Sequence, residues 1–278
     1  MSLFSVIIPT YQRPDELRGC LQRLAPGTQS LSFDQYEVIV TDDEGEGSDT
    51  QQLVQEEFPW ATWMTGPGRG VAANRNNGAQ HAQNKWLVFT DDDCRPKEEW
   101  LSAYRETAER GDAKVLEGKT VTERERPGPG WTAPVNRTGG KLWSCNFAIR
   151  RRAYEEIGGF DERYPGAGVE DVDFRIRIQN RSIAIRFVPD ATVHHPWRES
   201  YLLSGQITKI RAWRRFFLKF PEEAKKYNFN YHLGVLVGVL KWGGLSILKE
   251  EWRREAGVRV KKFIKSGIIL YQRFKSGH

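Results

Sequence analysis

Trp86-Leu-Val-Phe-Thr-Asp-Asp-Asp-Cys-Arg-Pro96 is an apolar run of strand type that leads directly into three consecutive carboxylates. Adjacent carboxylates repel each other by about 1 kcal/mol in water and by about 4 kcal/mol at an effective dielectric of 20, so a half-buried cluster needs a cation. Because side chains alternate along extended backbone, we expect Asp91 and Asp93 to face one way and Asp92 the other. Two carboxylates on one face suit Mg²⁺ or Mn²⁺. A solvated acidic turn is the plainer alternative.

Strand patterns and helical spacing of apolar residues alternate through the first third of the chain. The predicted elements are strand Leu3–Pro9, helix Pro14–Leu24, strand Tyr36–Thr41, helix Thr50–Phe58, strand Ala61–Thr65, helix Val71–Ala82 and strand Trp86–Thr90. This order is typical of an α/β fold with an open, mostly parallel twisted sheet and helices on both faces. Ligands of such sheets bind at the carboxyl ends of the strands. We therefore expect Asp42 and Asp43, which end the second strand, to lie near Asp91–Asp93.

Composition indicates a large core and a reducing environment. The chain has 278 residues, of which 39% are hydrophobic, with 14 Phe, 10 Trp and 9 Tyr. This is enough apolar material for a large folded domain. The three cysteines, Cys20, Cys94 and Cys145, lack CxxC spacing, and no signal peptide pattern precedes the first strand. We expect a cytoplasmic protein.

Residues 198–278 differ from the rest in charge and pattern. They carry 18 Lys and Arg against 6 Asp and Glu, whereas the net charge of the whole chain is +6. Aromatic residues recur there at helical spacing among arginines, at Trp213, Phe216, Phe217 and Phe220. A second basic amphipathic pattern spans Val258–Phe274, and Leu233–Leu248 is apolar but too short and broken for a transmembrane span.

Basic amphipathic helices bind anionic bilayers. For residues 198–278 we therefore expect a helical extension that holds the protein peripherally at the inner face of the cell membrane. Packing on the rest of the chain or on a second subunit is the alternative, so an oligomer stays open. We expect no nucleic-acid partner.

Glu123–Gly140 is the least regular segment, with two Pro-Gly pairs and the pair Gly139-Gly140. Long segments of this kind in compact domains are either functional or disordered. Gly139-Gly140 and the preceding Pro-Gly pairs are therefore expected to form a flexible lid.

Eight short motifs occur in order along residues 3–197. They are Ser5-Val-Ile-Ile-Pro-Thr-Tyr11, Val38-Ile-Val-Thr-Asp-Asp43, Gly70-Val-Ala-Ala-Asn-Arg-Asn-Asn-Gly78, Phe89-Thr-Asp-Asp-Asp93, Trp143-Ser-Cys-Asn-Phe-Ala-Ile-Arg150, Gly158-Gly-Phe-Asp161, Val169-Glu-Asp-Val-Asp-Phe174 and His194-His-Pro196. Each carries little information alone, but together they resemble the family-2 glycosyltransferases with the GT-A fold. The resemblance implies transfer of a sugar from a nucleotide-diphosphate donor to an acceptor hydroxyl, with inversion. It implies a GT-A catalytic domain over residues 1–197, followed by the extension 198–278.

The resemblance also implies a donor site. Thr10, Tyr11 and Asp43 would line the nucleobase pocket, with Arg75 nearby. Further donor contacts would come from Pro9, Arg13, Asp91 and Asn146. Strand two ends in Asp-Asp-Glu-Gly-Glu-Gly where the family more often has Asp-Gly-Ser, so the ribose end of this pocket differs from the common pattern.

A divalent metal, Mn²⁺ or Mg²⁺, is implied at the diphosphate, whose charge grows as the glycosidic bond breaks. Asp93 would bind it, and Asp91 would contact the metal or the ribose. His194 or His195 would add a ligand; the motif does not choose between them, and we take His195. Asp92 stands where the family often has a small residue, and because it should face away we expect it to tolerate substitution.

Glu170 and Asp171 allow two interpretations. On a helix, Asp171 and Arg175 are four residues apart, as are Asp173 and Arg177, and such pairs contribute about 0.2–0.5 kcal/mol each at a surface. Acidic residues are also favoured at a helix N-terminus. Inverting transfer, however, needs a base that takes the proton of the acceptor hydroxyl. The resemblance places Asp171 in that role, with Glu170 as the substitute if the register differs by one.

The leading hypothesis is a metal-dependent inverting glycosyltransferase that uses a UDP-sugar. Its acceptor would be a saccharide or lipid-linked saccharide in polysaccharide or glycolipid synthesis. A sugar nucleotidyltransferase would instead need a Gly-rich basic phosphate loop after strand one, where the chain has Pro9-Thr-Tyr-Gln-Arg-Pro14. A nucleotide-sugar sensor or scaffold would need neither Asp93 nor Asp171. Sugar, acceptor and anomer stay open.

Overall fold

The computed structural model describes residues 3–128, 131–199 and 206–225. The strands are β1 (Phe4–Thr10), β2 (Tyr36–Asp42), β3 (Thr62–Thr65), β4 (Trp86–Thr90), β5 (Arg95–Pro96), β6 (Val115–Val121), β7 (Trp131–Thr132), β8 (Asn146–Arg150), β9 (Ile185–His194) and β10 (Arg198–Glu199). The helices are α1 (Pro14–Leu21), α2 (Asp49–Glu57), α3 (Val71–His81), α4 (Trp100–Glu109), α5 (Arg151–Ile157), α6 (Glu170–Asn180), α7 (Gln206–Lys219) and α8 (Pro221–Lys225). A single 3-10 turn spans Phe33–Gln35. Every strand and helix predicted before Asp91 is present close to its expected bounds.

One mixed sheet organises the structure, in the order β3-β2-β1-β4-β8-β6-β9-β5. β3, β2, β1 and β4 are parallel. β8 is antiparallel to both β4 and β6, β6 is parallel to β9, and β5 is an antiparallel edge strand. Among the strands of this sheet, only β8 and β5 run against the others, which confirms the open, mostly parallel sheet.

Successive side chains of β1 enter opposite halves of the core. Phe4, Val6 and Ile8 belong to an apolar cluster that includes residues of α1, α2 and α4. Ile7 belongs to a second cluster with residues of α3, α5 and α6. Helices therefore cover both faces, as expected. α3 approaches the sheet closely at Gly78, where a Cβ would lie 2.6 Å from Cγ2 of Ile7, so glycine is the residue that fits.

Contacts divide the chain into two compact units. The first contains residues 1–123, 133–163 and 170–196, and the second contains 124–132, 164–169 and 197–278. β7 and β10 form a short antiparallel pair within the second unit. The boundary at residues 197 and 198 stays a prediction.

α7 has its aromatic face inside the protein. Phe216 and Phe217 are buried. The guanidinium of Arg215 and the ammonium of Lys219 lie 5.7 and 6.0 Å from the ring centre of Tyr164. For this helix the burial favours packing over insertion of the aromatic face into a bilayer.

The other two patterns predicted in the extension, Leu233–Leu248 and Val258–Phe274, lie outside the described residues. Within the described ranges, none of the helices combines the length and apolar character that crossing a membrane requires.

Candidate active site

The three carboxylates that follow β4 lie in a turn and not in extended backbone. The N–H of Cys94 closes this turn by donating to the carbonyl oxygen of Asp91 at 3.1 Å. Each carboxylate therefore meets a different partner. The pairs are Asp91 with Arg75 at 2.8 Å, Asp92 with Arg13 at 2.8 Å, and Asp93 with Nε2 of His195 at 3.5 Å. The alternation expected for Asp91–Asp93 does not apply, because it holds only for extended backbone.

Arg75 is the cation of an acidic cluster. It lies on α3 with a side chain that is 3% exposed, and its guanidinium is 2.8 Å from Asp91, 3.1 Å from Glu170 and 3.9 Å from Asp171. Burial opposes its charge, but the three carboxylates outweigh burial and raise the pKa of Arg75. Arg75 is thus a permanent charge that links the end of β4 to the start of α6. Its burial and its three acidic partners do not fit the expected place near the nucleobase.

Asp171 is nearly buried in the first turn of α6. Its Oδ2 accepts the N–H of Ser144 at 3.3 Å, whereas Oδ1 has no hydrogen-bond partner among the described residues. Burial and then the charge of Glu170 raise the pKa of Asp171 to about 8, although Arg75 opposes the shift. A raised pKa makes the ionised form of Asp171 a stronger base than an ordinary aspartate, which suits proton removal from a hydroxyl.

The helix pairs considered for α6 form only in part. Arg177 donates through Nε to Asp173 at 2.5 Å. Arg175 instead donates to the carbonyl oxygen of Gly140 at 3.0 Å. Asp173 thus pairs with Arg177, and the interpretation of Asp171 as half of a surface ion pair with Arg175 is wrong.

His195, and not His194, reaches the acidic turn. Nδ1 of His195 lies 2.7 Å from the carbonyl oxygen of Pro196, which can only accept, so Nδ1 donates and the ring is held with Nε2 turned the other way. Nε2 faces Oδ1 of Asp93 at 3.5 Å. An imidazole nitrogen and a carboxylate oxygen are both common ligands of divalent metals. This pair of donors therefore fits the divalent metal that the sequence implies.

One group of possible metal ligands stands out among the described residues: Asp93, Cys94 and His195, whose donor atoms all lie within 4.8 Å of one another. Burial raises the pKa of the Cys94 thiol, so the sulfur is neutral and a poor ligand for hard ions. Asp91, predicted as a second metal ligand, is not part of that group, and its carboxylate pairs with Arg75.

The ends of β1 and β2 present the residues expected at a nucleobase. Tyr11 is 55% exposed. The carboxylate of Asp43 accepts the N–H groups of Gly68 at 3.0 Å and Gly70 at 2.9 Å. Burial raises the pKa of Asp43, and those two amides oppose the shift. The N–H of Asp43 donates to the carbonyl oxygen of Thr10 at 3.0 Å, so both loops leave the sheet at one place.

The side chains of Thr10 and Arg13 both bind the carboxylate of Asp92. The hydroxyl of Thr10 donates to Asp92 at 3.0 Å, and Arg13 donates at 2.8 Å. Burial raises the pKa of Asp92 to about 6, although Arg13 opposes the shift. Pro9 is a buried β1 residue paired with Thr41. These contacts do not fit the expectation that Asp92 faces away and tolerates substitution.

We expect Asp92→Ala to lower the free energy of unfolding by about 1–3 kcal/mol, because the buried hydroxyl of Thr10 loses its acceptor and Arg13 its counter-ion. Urea denaturation measures the change. Asp15→Ala is the control, since its side chain is 88% exposed, and it should change stability by no more than about 0.5 kcal/mol. Equal effects of the two substitutions would contradict a structural role for Asp92.

Asn146 does not fit the donor contact expected of it. Its Oδ1 accepts from Nε1 of Trp100 at 2.8 Å and from the hydroxyl of Tyr104 at 2.7 Å. Its Nδ2 donates to the carbonyl oxygens of Lys119 at 2.9 Å and Ala191 at 3.0 Å. Every polar atom of this buried amide already has its partners, so Asn146 holds strands together.

Two positioning residues were missed by the sequence reasoning. Asn74 on α3 donates to the carbonyl oxygens of Thr10 at 3.2 Å and Thr41 at 2.8 Å, which ties β1 to β2 beside Asp43. The available signal was asparagine in a helix interior, where it is a poor helix former and needs another reason to be present. The second residue is Glu117.

Glu117 is a buried carboxylate that anchors the end of the irregular segment. It accepts the N–H groups of Gly140 and Lys141, both at 2.7 Å, and the N–H of Leu142. Asn136 donates to it at 2.9 Å. Asn136 accepts the N–H of Gly139 at 3.0 Å, so both glycines of this pair are held by hydrogen bonds, which does not fit the expected flexible lid.

Comparison with known protein families gives two matches. The family model described as "Glycosyl transferase family 2" matches residues 5–158, and a model described as "N-terminal domain of galactosyltransferase" matches residues 134–196. The first covers more than half of the chain, and the second includes α6 and His195.

Known relatives agree with these matches. "Succinoglycan biosynthesis protein ExoM" of Rhizobium meliloti is 31% identical over 220 residues, which are 73% of this chain and 69% of that protein. The solved structure of S. aureus TarS 1-349 in complex with UDP-GlcNAc has a TM-score of 0.62 at 17% identity, over 99% of this chain and 92% of that one. Mannosyltransferase PcManGT from Pyrobaculum calidifontis, in complex with GDP-Man and Mn²⁺, has a TM-score of 0.63 at 19% identity, over 97% and 87%. At such identities the two structures show the fold.

Proposed function

The chain belongs to glycosyltransferase family 2, and on that premise we propose that it moves a sugar from a UDP-sugar to an acceptor hydroxyl with inversion. Its α/β sheet is of the GT-A type, as the sequence led us to expect. The observation that supports the proposal is the cluster of Asp91, Glu170 and Asp171 around the buried guanidinium of Arg75. This cluster supplies a carboxylate whose raised pKa suits a base.

Asp171 is the proposed base. Its Oδ1 takes the proton of the acceptor hydroxyl as that oxygen attacks the sugar, while the N–H of Ser144 holds Oδ2. The guanidinium of Arg75 stabilises the carboxylate before the proton arrives. Glu170, bonded to the same guanidinium, is the substitute base.

Asp93 and His195 are the proposed ligands of Mn²⁺ or Mg²⁺. The bound ion would supply charge that stabilises the diphosphate leaving group. Tyr11 and Asp43 are the proposed nucleobase contacts. The ring of Tyr11 is exposed after β1, and two backbone N–H groups hold the carboxylate of Asp43 after β2. We propose Asp91 as a donor contact oriented by Arg75. We do not propose Asn146 as a donor contact, because its Oδ1 and Nδ2 are both hydrogen-bonded within the protein.

The proposed donor and acceptor classes draw support from the relatives. One relative acts in succinoglycan biosynthesis, and one structural neighbour was solved with UDP-GlcNAc. We propose a saccharide or lipid-linked saccharide as acceptor. The charge of residues 198–278 supports peripheral binding to an anionic membrane.

A nucleotide-release assay tests the function. The protein is incubated with UDP-, GDP- and TDP-sugars and Mn²⁺, and UDP is expected to appear slowly with water and faster with acceptor. Pyrophosphate release from UTP and a sugar 1-phosphate would support a nucleotidyltransferase instead. Binding of UDP-sugar without turnover would support a sensor, and calorimetry that shows no binding of UDP, GDP or TDP would refute the proposal.

The two adjacent histidines give a matched test of the metal site. We expect His195→Ala to raise the Mn²⁺ concentration needed for half-maximal transfer by about 10-fold or more, because loss of one ligand or its support costs metal affinity on that scale. His194→Ala, which leaves Nε2 of His195 facing Asp93, should shift it less than about 2-fold. A larger shift for His194→Ala would mean that the ligand assignment is wrong.

A further inference from the structure

Cys94 lies beside the proposed metal ligands and has no part in the proposed reaction. It is fully buried. Its Sγ is 4.0 Å from Oδ1 of Asp93, and both atoms lie within 4.8 Å of the ring nitrogen of His195. The sheet explains this closeness: β5 and β9 are antiparallel with Arg95 opposite His194, so Cys94 comes opposite His195.

The spacing of these three donors matches a tetrahedral ion. Bonds of about 2.3 Å to sulfur and about 2.0–2.2 Å to nitrogen or oxygen place neighbouring ligands of a tetrahedron about 3.3–3.6 Å apart. The observed separations are 3.5 Å between Asp93 and His195 and 4.0 Å between Asp93 and Cys94. The third separation, between Cys94 and His195, is no more than 4.8 Å, so a shift of about 1 Å or less in the Cys94 side chain brings all three donors to the spacing of one ion.

The chemistry of the three donors favours a softer ion than Mg²⁺ or Mn²⁺. Thiolate is a ligand for Zn²⁺, whereas hard ions prefer carboxylate, carbonyl and water oxygens. A given nitrogen, oxygen and sulfur site also binds Zn²⁺ more tightly than Mn²⁺. Three protein ligands with a fourth position open are a common zinc arrangement. His195 is already oriented by Pro196, as zinc-bound histidines are.

We propose that Asp93, Cys94 and His195 bind Zn²⁺ as three ligands and that Zn²⁺ inhibits transfer by displacing the catalytic ion. The inference rests on the proposed metal site of the transferase. When Zn²⁺ binds, the thiol of Cys94 releases its proton to solvent and the thiolate coordinates the metal. Zn²⁺ would then bind Asp93 and His195, which Mn²⁺ also needs, and in addition Cys94, which Mn²⁺ does not bind.

Co²⁺ is the spectroscopic probe for this site, because it replaces Zn²⁺ and shows a near-ultraviolet charge-transfer band only when a thiolate is bound. We expect one equivalent of Co²⁺ to produce that band in the intact protein without donor or acceptor, and Zn²⁺ to abolish it. Cys94→Ser should lose the band. Cys20→Ala is the matched control, since Cys20 is also fully buried, and it should keep the band. Thermal unfolding checks that both variants are folded.

Inhibition gives a second measurement. The Zn²⁺ concentration that halves the Mn²⁺-supported rate should rise by about 10-fold or more in Cys94→Ser, with each variant compared with its own uninhibited rate. Absence of the band in the intact protein, or its persistence in Cys94→Ser, would overturn the proposal. Neither result bears on UDP release in Mn²⁺, so failure of the zinc site and failure of the proposed transferase remain distinguishable.

Discussion

Asp171→Asn is expected to keep donor binding and to lower the rate of transfer by about 10²–10⁴-fold, which is the usual contribution of a general base. Asparagine can still accept the N–H of Ser144, so the start of α6 should keep its position. Calorimetry with UDP measures donor binding, and UDP release with acceptor measures transfer.

Glu170→Gln is the matched comparison, because the two acids are neighbours in α6 and contact the same guanidinium. It should retain more transfer activity than Asp171→Asn. The reverse order of the two rates would move the base to Glu170. Transfer at the parent rate in both variants would show that neither Asp171 nor Glu170 is the base.

The raised pKa of Asp171 also predicts a pH dependence. The base must be ionised, so the rate should fall as pH drops below about 8, in line with the pKa that burial and Glu170 produce. Stability should run the opposite way. An aspartate of unfolded pKa about 3.9 that is raised on folding stabilises the protein at low pH and loses that contribution as pH rises toward about 8. Asp171→Asn should therefore become progressively more stable than the parent as pH rises from about 4 to about 8.

Arg75→Met is expected to lower the free energy of unfolding by about 3–5 kcal/mol, the cost of breaking a buried ion pair by removing one partner. The guanidinium is buried among Asp91, Glu170 and Asp171, and methionine keeps the aliphatic stem of arginine but not its charged end. Urea denaturation measures the loss. Part of it should be recovered at low pH, where the carboxylates are protonated.

Arg105→Met is the matched control. Arg105 pairs with Glu109 on the exposed side of α4, and such a pair contributes only about 0.3–0.5 kcal/mol. Arg75→Lys completes the set, since it keeps a positive charge but loses the fork that contacts Asp91 and Glu170 through separate nitrogens. Equal losses for Arg75→Met and Arg105→Met would contradict a central role for Arg75.

The parallel half of the sheet was predictable because its signals are local. Each strand from β1 to β4 is an apolar run with clear ends, and the helices between them have apolar residues at helical spacing. Asp91 and Asp93 could likewise be placed at a strand end from the sequence. The antiparallel insertion of β8 between β4 and β6 was not predictable in this way, because it depends on pairing between distant segments.

The partners of individual polar residues were harder to predict. A turn after β4, which one N–H of Cys94 closes, sends Asp92 to Arg13, and alternation could not anticipate it. Asn146 stands within a family motif but its amide is used by four neighbours in the core. Which histidine meets Asp93 depends on the register of β5 with β9. Each of these contacts joins segments far apart in the chain.

The strand order of the sheet has a consequence for synthesis of the chain. β3, β2, β1 and β4 are all complete by Thr90, and they leave the ribosome before any residue of β8, β9 or α6. Arg75 is therefore made long before Glu170 and Asp171. During that interval Asp91 is the only one of its three acidic partners that has been synthesised. The nascent protein can form these four strands while the acidic cluster around Arg75 still lacks Glu170 and Asp171. A ribosome stalled shortly before Glu170 would display the four parallel strands without α6.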